Sequence, residues 1–267
     1  MTLRVMTYNI LDGGIGREDS ILEVIRAVNP DLIVIQEVTD VKTLTFLAQT
    51  LEMQSFIGKG NTKRKVALLS RLPVLDFKNY HPIFPIWNNI IEADIQYQSD
   101  KSFRLIGVHL IAGPWIGLEL WRYLETNYIL KHYQQFSQRP FLIAGDFNSV
   151  APNDKVISSR IPGRLKIILW LQGNHVFHYS LQSMLSSGLI DCFRFINPND
   201  EGFTLPPPKP NIRLDYIFIN DAMKKYLKNC WVVRKPNPVT KASDHYPVVA
   251  EFNMDNYRTL HKLLNFS

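Results

Sequence analysis

Short apolar segments that meet polar side chains at one end recur through the chain, and this pattern constrains the fold more than any other feature. Phe141 to Ala144 is an apolar run typical of a buried strand, yet it leads directly into Asp146 and Asn148. Residues i and i+2 of an extended chain point in the same direction. The sequence therefore predicts that a carboxylate and an amide share one direction at the end of a core strand.

Hydrophobic periodicity predicts both strands and helices, in an order that mixes β-α-β units with β-β pairs. The predicted strands are 3–10, 32–35, 66–69, 90–97, 103–109, 141–144, 214–219, about 230–233, and 248–252. The predicted helices are 18–29, 41–51 and 118–136. This order indicates an α/β fold with a mixed sheet or two packed sheets, because a purely parallel sheet would lack the β-β pairs.

Composition limits the class of protein. With 267 residues, 46% hydrophobic content and no linker, residues 1–267 are predicted to form a single domain. The net charge of +6 favours polyanionic partners such as nucleic acid or anionic lipid. Cys192 and Cys230 lack a metal-binding spacing and are predicted to be buried thiols of a reducing compartment.

The sequence also bears on the location and assembly of the protein. Residues 3–8 already read as a core strand, so no signal peptide is expected. No uncharged apolar run approaches 18 residues, so no transmembrane segment is expected either. We therefore predict a cytoplasmic protein, and we expect a monomer.

Polar residues at strand ends form one candidate site. Those early in the chain follow predicted strands, whereas those late in the chain precede them. If the two late strands run antiparallel to the four earlier ones, all of these residues lie along one edge of the fold. They are Asn9, Glu37, His109, Asp146, Asn148, Asp215, Asp244 and His245.

Such an edge suits phosphoryl chemistry that depends on a hard cation. Packed carboxylates repel one another unless a cation lies between them. Carboxylate and amide oxygens suit Mg²⁺, Mn²⁺ or Ca²⁺, whereas two histidines without a His-x-x-x-His spacing make a poor zinc site. A bound cation withdraws charge from a phosphate oxygen, a base prepares water, and a donor stabilises the developing charge.

Each residue also has a structural interpretation when it is taken alone. Asn9 could form a turn, Glu37 could cap the following helix, His109 could be a core histidine, and residues 243–245 could be a surface loop. Their joint occurrence at matching strand ends favours a site.

Other classes fit the sequence less well. The glycine-rich stretch 12–16 has Asp19 where a dinucleotide-binding pattern needs its third glycine, and no Gly-Lys-Ser/Thr is present. There is no Gly-x-Ser-x-Gly, so a serine hydrolase is not indicated. A non-catalytic binding module on the same fold is the alternative from another class.

Seven short motifs together carry a resemblance to a known family. They run from the first predicted strand to the last, namely TYNIL (7–11), IQEV (35–38), LLSRLPV (68–74), GVHL (107–110), GDFNS (145–149), RLDYIF (213–218) and SDHYPV (243–248). As a set they resemble the endonuclease/exonuclease/phosphatase superfamily. The resemblance implies a four-layer α/β sandwich, in which two mixed sheets pack face to face with helices outside. It also implies a phosphoesterase that uses one or two Mg²⁺ or Mn²⁺ ions.

The resemblance also implies metal-binding and catalytic roles. Glu37 resembles the principal metal ligand, with Asn9 beside it and Asp244 at the metal. Asp146 resembles the carboxylate that orients or deprotonates the attacking water. The remaining implied roles are that His245 acts on the scissile phosphate, Asp215 fixes its tautomer, Asn148 donates to phosphate or nucleophile, and His109 matches a second histidine of some branches. Whether Asp146 or His245 is the general base stays open.

Residues that could bind substrate are less clearly marked. Arg71 and Arg213 are candidates, although structural roles are favoured for both. Lys63 and Arg64 lie in the basic turn GKGNTKRK (58–65), which is either a contact to a nucleic-acid backbone or a solvated hairpin. Trp115 either stacks on a base, covers a lipid or lies in the core.

The substrate is predicted to be a nucleic acid, either DNA or RNA. A small-molecule or phospholipid phosphoester, of the sphingomyelinase or inositol-phosphate kind, is the alternative. GLIDCFR (188–194) is similar to a segment of abasic-site endonucleases, but the tryptophans that usually follow it are replaced by GFTLPPP. The stretch 161–171, IPGRLKIILWL, is predicted to be a buried helix in preference to an interfacial helix on lipid.

Overall fold

The computed structural model describes residues 1–133 and 138–255. Its strands are β1 (Thr2–Asn9), β2 (Leu32–Val38), β3 (Gln54–Ile57), β4 (Lys65–Ser70), β5 (Val74–Tyr80), β6 (Ile90–Gln98), β7 (Lys101–His109), β8 (Phe141–Asp146), β9 (Ile190–Asp191), β10 (Asp215–Ile219), β11 (Leu227–Val232) and β12 (Val248–Asn253). Its α-helices are α1 (Glu18–Val28), α2 (Val41–Leu51), α3 (Ile116–Tyr133), α4 (Gly163–Leu171), α5 (Tyr179–Ser186), α6 (Cys192–Ile196), α7 (Asp221–Lys224) and α8 (Val239–Ala242).

The strands form two mixed sheets of six strands each. The first sheet has the order β11-β12-β1-β2-β4-β3, and the second has the order β5-β6-β7-β8-β10-β9. Within the first sheet β1 is parallel to β2 and antiparallel to β12. Within the second sheet β8 is parallel to β7 and antiparallel to β10. The two late strands therefore run opposite to their early neighbours, as the strand-end argument requires.

Helices cover the outer faces of the two sheets, which completes four layers. One apolar core lies between the sheets and continues under α1 and α2 through Ile21 and Leu44. A second core lies between the second sheet and helices α3 and α5, through Ile129 and Leu181. Alternate residues of the same strand serve the two cores, because successive side chains point to opposite faces. The predicted α/β sandwich of two mixed sheets is confirmed.

The predicted core strands and helices are present, with boundaries shifted by a few residues. The strands absent from the prediction are β3, β5 and β9, and each lies at an edge of its sheet. An edge strand is half exposed and needs no continuous apolar run. The predicted end of α3 at Phe136 lies outside the described residues, as do residues 256–267 of the predicted single domain.

Helix α4 corrects one prediction. The stretch 161–171 was expected to be a buried helix because it is strongly apolar. The helix forms, but none of its residues is buried.

Cys192 and Cys230 are buried free thiols, in agreement with the prediction. Among the described residues, no helix is long and apolar enough to cross a bilayer.

Gly107 sets how closely the two sheets approach each other. A Cβ atom added at Gly107 would lie 2.7 Å from Cγ1 of Ile91 in its own sheet and 2.8 Å from Cγ1 of Val34 in the facing sheet. Both contacts are shorter than the carbon–carbon optimum, so any side chain here requires the packed neighbours to move. The absence of a side chain at this position is therefore part of the inter-sheet packing.

We predict that Gly107→Ala destabilises the fold by about 1–3 kcal/mol, because it adds volume to a filled core. The matched control is Gly117→Ala, which adds the same methyl group at an exposed position of α3 where nothing lies within 4 Å. The control should leave the free energy of unfolding unchanged or raise it by up to about 1 kcal/mol. Urea denaturation followed by circular dichroism measures both. Equal stability of the two variants would contradict the close approach.

Candidate active site

Five strands end or begin at one place and bring their polar residues together. Asn9 is the last residue of β1 in the first sheet, and Glu37 lies near the end of β2 beside it. In the second sheet, the strand register pairs Asp146 with His109 on one side and with Asp215 on the other. All five side chains are buried. The fold thus concentrates three carboxylates, an amide and an imidazole at a single edge.

The amide of Asn9 connects the two sheets at this edge. Its Nδ2 donates to Oε1 of Glu37 at 3.3 Å and to Oδ2 of Asp146 at 3.0 Å. Its Oδ1 accepts from the backbone N–H of Leu11 at 3.0 Å, which fixes the orientation of the amide. The Asn9 side chain therefore holds two carboxylates from different sheets at a defined separation.

His245 and Asp215 form a hydrogen-bonded pair opposite Asp146. Nδ1 of His245 lies 2.8 Å from Oδ2 of Asp215, and its Nε2 lies 3.8 Å from Oδ2 of Asp146. Asp244 lies at the solvent side, with Oδ1 at 4.0 Å from Nε2 of His245. The Ser243 hydroxyl donates to the backbone carbonyl of Asn9 and accepts from the His245 N–H, which fastens this loop to β1.

His109 approaches the same carboxylates from a third direction. Its Nε2 lies 3.7 Å from Oδ2 of Asp146 and 4.0 Å from Oε1 of Glu37. Its Nδ1 is buried without a hydrogen-bond partner among the described residues. An imidazole in this position is available to a group that enters between the two carboxylates.

Two of the site residues have left-handed backbone conformations. Glu37 has φ of 62° and Asn148 has φ of 49°. Non-glycine residues adopt this region at a cost, and such strain concentrates at functional sites. At Asn148 the conformation is held by its N–H, which donates to Oδ1 of Asp146 at 2.9 Å, and by its Nδ2, which donates to the Leu110 carbonyl at 3.0 Å.

The surrounding charges and burial shift the pKa values of the two histidines in opposite directions. Burial alone would lower the pKa of His245, but the carboxylates of Asp215 and Asp146 outweigh it and raise the pKa to about 10. Burial lowers the pKa of His109, and there it prevails over the attraction of Asp146 and Glu37. His245 is therefore an imidazolium near neutral pH, whereas His109 is a neutral imidazole.

Burial also raises the pKa of Asp146. His245 opposes this rise because its positive charge stabilises the carboxylate, whereas the negative charge of Asp215 adds to it. A carboxyl group whose proton affinity is raised is a better proton acceptor than a solvated one. Asp146 therefore lies at the centre of the site and has a raised pKa, which suits a general base.

Sequence reasoning missed Asp12, which contributes to the site in two ways. Its backbone N–H donates to Oε2 of Glu37 at 2.8 Å, and its carboxylate pairs with the Arg64 guanidinium at 2.8 Å. Arg64 also lies 3.3 Å from Oε2 of Glu37. The glycine-rich stretch 12–16 indicated a loop near the site, but nothing in the sequence indicated that Arg64 would reach these two acids.

Two of the predicted substrate-binding residues lie away from this group. The Arg71 N–H donates to the carbonyl of Asp31, which precedes β2, so Arg71 lies at the opposite end of that strand from Glu37. The seven residues of β2 span about 20 Å, which removes Arg71 from the site.

Arg213 is a structural residue by its contacts. It is 1% exposed, and it makes ion pairs with Asp154 at 2.7 Å and with Asp191 at 2.6 Å. Its guanidinium also lies 4.4 Å from the centre of the Tyr216 ring. A fully buried and fully paired guanidinium cannot reach a substrate, so the prediction that Arg213 binds one is not supported.

Besides Arg64, the remaining candidates are Lys63 and Trp115, and both are accessible at the surface. Lys63 is exposed in the turn that carries Arg64. Trp115 is 44% exposed in the loop that precedes α3. The core alternative for Trp115 is therefore excluded, and its role with substrate stays a prediction.

A cavity of about 470 Å³ adjoins the candidate site. Asn148 and Asp244 line it at the site, and Leu165 and Leu169 of α4 line it on the far side. Pro114 and Phe177 also contribute, so most of its wall is apolar. A molecule whose phosphate lies among the acids could place an apolar portion in this cavity.

The donor set fits a hard divalent cation. Among the described residues, the ligand atoms of Asp146, Asp215 and His245 lie within 4.8 Å of one another, and Glu37 is joined to Asp146 through Asn9. Buried carboxylates at this density repel one another unless positive charge is present. Because most of the donors are carboxylate oxygens, the group suits Mg²⁺ or Mn²⁺ better than zinc.

Solved structures share this architecture across nearly the whole chain. A 3′ phosphatase from Neisseria, solved with a product DNA hairpin, is 21% identical with a TM-score of 0.70, and the match covers 94% of this chain and 99% of that one. An AP endonuclease from Archaeoglobus fulgidus is 19% identical with a TM-score of 0.75, covering 94% of this chain and 100% of that one. The catalytic domain of human Nocturnin, solved with sulfate, is 21% identical with a TM-score of 0.66, covering 94% and 93%.

At these identities the structural likeness shows the fold alone, and no curated protein sequence matches the chain significantly. The family assignment comes from the sequence, because residues 6–245 match the model of the Endonuclease/Exonuclease/phosphatase family. That range contains each of the strand-end residues described above. The chain therefore belongs to the endonuclease/exonuclease/phosphatase family, whose members are hydrolytic phosphoesterases.

Proposed function

We propose that this protein is a divalent-metal-dependent phosphodiesterase that hydrolyses its substrate by direct attack of water on phosphorus. The observation that carries the proposal is the position of Asp146. Its Oδ2 lies 3.0 Å from the Asn9 amide, 3.7 Å from His109 and 3.8 Å from His245. A buried carboxylate surrounded at these distances by an amide and two imidazoles has the partners that a phosphoryl-transfer site needs.

Asp146 and His245 take opposite roles in this proposal. Asp146 orients the attacking water and accepts its proton, because burial raises the proton affinity of its carboxylate. His245 carries the proton on Nε2 and donates a hydrogen bond to a phosphoryl oxygen, since its imidazolium is stabilised by Asp215 at Nδ1. This assignment favours Asp146 as the general base.

The remaining residues position these two groups. Glu37, Asn9 and Asp244 are the proposed ligands of Mg²⁺ or Mn²⁺, which when bound polarises the phosphoryl oxygen and stabilises charge on the leaving group. Asn148 keeps one amide hydrogen for the substrate while the other holds the Leu110 carbonyl. His109 presents a neutral imidazole between Glu37 and Asp146.

We propose nucleic acid as the substrate, which makes the protein a nuclease. This is supported by the net charge of +6 and by the exposed Lys63, which is next in sequence to Arg64, the residue that reaches Glu37. It is also supported by the DNA-directed chemistry in the names of two structural relatives, the 3′ phosphatase solved with a DNA hairpin and the AP endonuclease.

A second candidate substrate is a phospholipid or another phosphodiester with an apolar substituent. The specific observation that favours it is the cavity of about 470 Å³ between Asn148 and helix α4. A nucleic-acid backbone is polar and charged, so it does not need an apolar cavity beside the scissile phosphate.

The first prediction concerns catalysis and its dependence on metal. Hydrolysis of bis(4-nitrophenyl) phosphate should require Mg²⁺ or Mn²⁺ and should stop when the metal is chelated. Asp146→Asn and His245→Ala should each lower kcat by roughly 10²–10⁴-fold, because the first removes the proposed proton acceptor and the second removes the proposed hydrogen-bond donor to the phosphoryl oxygen. Arg71→Ala, at the opposite end of β2, is the control and should keep full activity. Near-normal turnover in either site variant, with the fold intact, would refute the assigned roles.

The second prediction concerns the charge on His245 in metal-free protein. Asp215→Asn should lower the pKa of His245 markedly, because it removes the carboxylate that contributes most to the rise. Asp244→Asn is the control and should lower it less, since that carboxylate is exposed and 4.0 Å away. Titration of the imidazole by ¹⁵N NMR measures both values. A larger effect at Asp244 would overturn the pairing.

The same pairing sets the pH dependence of stability. The folded pKa of His245 is raised from 6.5 to about 10, so the folded state binds more protons than the unfolded state between these values. Its contribution to the free energy of unfolding is therefore complete below about pH 6.5 and is lost as the pH rises through about 10. In Asp215→Asn this loss should occur over a narrower and lower pH range, which urea denaturation at several pH values measures.

A substrate panel separates the candidate functions. It contains plasmid DNA, an abasic duplex, RNA, sphingomyelin, inositol phosphates and a generic phosphomonoester. Nicking of plasmid or cleavage of RNA is expected if the protein is a nuclease, whereas selective hydrolysis of sphingomyelin supports the second candidate. No turnover on any member, with metal binding intact, would favour a non-catalytic binding module.

A further inference from the structure

Helix α4 exposes large apolar side chains on a surface beside the candidate site. Ile167, Trp170 and Leu171 are 62%, 68% and 60% exposed, and no residue of the helix is buried. A helix that presents several large apolar side chains on its outer side is normally covered there by protein or by lipid. Isolated exposed apolar residues are ordinary, but several on one short helix need an explanation.

The loop before β6 adds a second exposed apolar segment. Ile83 is 91% exposed and Phe84 is 62% exposed. The rings of Phe84 and Trp87 both pack edge-on against Trp121 of α3, with ring centres 5.6 Å and 5.9 Å apart. This loop is therefore held against α3 and continues its surface.

Helix α3 joins these two segments into one surface. Ile116, Leu120 and Leu124 are exposed at intervals of four residues, so they lie along one side of the helix. At one end of this row the Ile116 N–H donates to Gln172, the residue after α4, at 3.2 Å. Farther along, Leu120 and Leu124 share a surface groove with Phe84. We call this surface the apolar face and identify it by Ile83, Phe84, Trp115, Leu120, Ile167 and Trp170.

The charge around α4 indicates what covers the apolar face. Arg160, Arg164 and Lys166 lie in the segment 160–172, which contains no aspartate or glutamate. Arg164 and Lys166 are both exposed. Apolar side chains with tryptophan, flanked by lysine and arginine, are the composition of helices that lie in the interface of an anionic membrane.

A second copy of this chain is a poorer occupant. A symmetric dimer places the same patch of both subunits together. Two copies of the segment 160–172 would bring six basic side chains into one contact without acids from that segment to neutralise them. An anionic lipid surface neutralises the same charges and accepts the apolar side chains, so it satisfies both features at once.

We propose that the apolar face docks on the surface of a bilayer that contains anionic phospholipid. The docked helix α4 would lie in the interface, with Trp170 and Ile167 in contact with the acyl boundary and with Arg164 and Lys166 at the headgroups. The cavity beneath α4 runs to Asn148 and Asp244, so docking places the candidate active site next to the lipid surface. This inference concerns binding, and it stands whichever phosphodiester the protein hydrolyses.

The test is flotation of the full chain with vesicles. Wild-type protein should float with vesicles of equal parts phosphatidylcholine and phosphatidylserine, and more weakly with phosphatidylcholine alone. Combined Ile167→Glu and Trp170→Glu should lower the partition coefficient roughly tenfold or more, because the substitutions remove the inserted apolar groups and add repulsive charge. Combined Arg164→Gln and Lys166→Gln should weaken binding to the anionic vesicles and reduce its sensitivity to salt.

The matched control is combined Val41→Glu and Leu75→Glu, which adds the same charge at two exposed apolar positions that are 52% and 58% accessible. Val41 begins α2 and Leu75 lies on the edge strand β5, so neither belongs to the apolar face. The control should bind vesicles as wild type does. Hydrolysis of bis(4-nitrophenyl) phosphate should be unchanged in both double-glutamate variants, which separates docking from the proposed function.

Three outcomes would overturn the proposal. The first is that wild-type protein does not float with anionic vesicles. The second is that the Ile167 and Trp170 variant binds vesicles as tightly as the control. The third is that wild-type protein forms a dimer which these two substitutions dissociate while no vesicle binding occurs, because the apolar face would then be covered by a second copy. Trp fluorescence, with a blue shift on vesicle addition that the variant lacks, provides an independent readout.

Discussion

The side-chain amide of Asn9 is the contact on which the geometry of the site depends. Each sheet of the sandwich contributes acids at one edge, but the sheets are held together mainly by apolar packing, which does not fix distances between polar groups. Asn9 donates to Glu37 in its own sheet and to Asp146 in the other. It therefore fixes the spacing between the Glu37 and Asp146 carboxylates, which belong to different sheets. The close inter-sheet approach at Gly107 brings the strands near enough for this one side chain to span them.

The buried charges at this edge are tolerated because each has a partner. Asp215 is paired with His245, and Glu37 accepts from Asn9 and from the Asp12 N–H. Asp146 accepts from the Asn9 amide and from the Asn148 N–H, but these contacts and the nearby His245 do not outweigh the effect of burial, which raises its pKa. A carboxylate whose charge is incompletely balanced by the protein is suited to accept a proton or to meet a cation. The burial that accompanies folding thus gives Asp146 a raised proton affinity.

The acids of the site and the exposed apolar side chains occupy neighbouring regions of the surface. The acids occupy the rim where β1, β2, β7 and β8 end, whereas the exposed apolar side chains occupy α3, α4 and the loop before β6. The cavity that begins at Asn148 and Asp244 connects the two regions. The sandwich can therefore present a polar site and an apolar surface side by side.

The sequence by itself determined the core strands and the residues at their ends. Strands buried on both faces are continuous apolar runs, so β2 and β8 can be predicted from the sequence. A polar residue that follows such a run, as Asp146 does, is easily recognised. The edge strands β3, β5 and β9 carry no such run and were missed. Tertiary structure alone decided where the arginines lie. Arg64 reaches Glu37, and Arg71 lies at the far end of β2. Arg213 is buried and forms two ion pairs, so it is not available to a substrate. It also decided that α4 is exposed, because apolar composition records how a side chain interacts with water and not whether another part of the chain covers it.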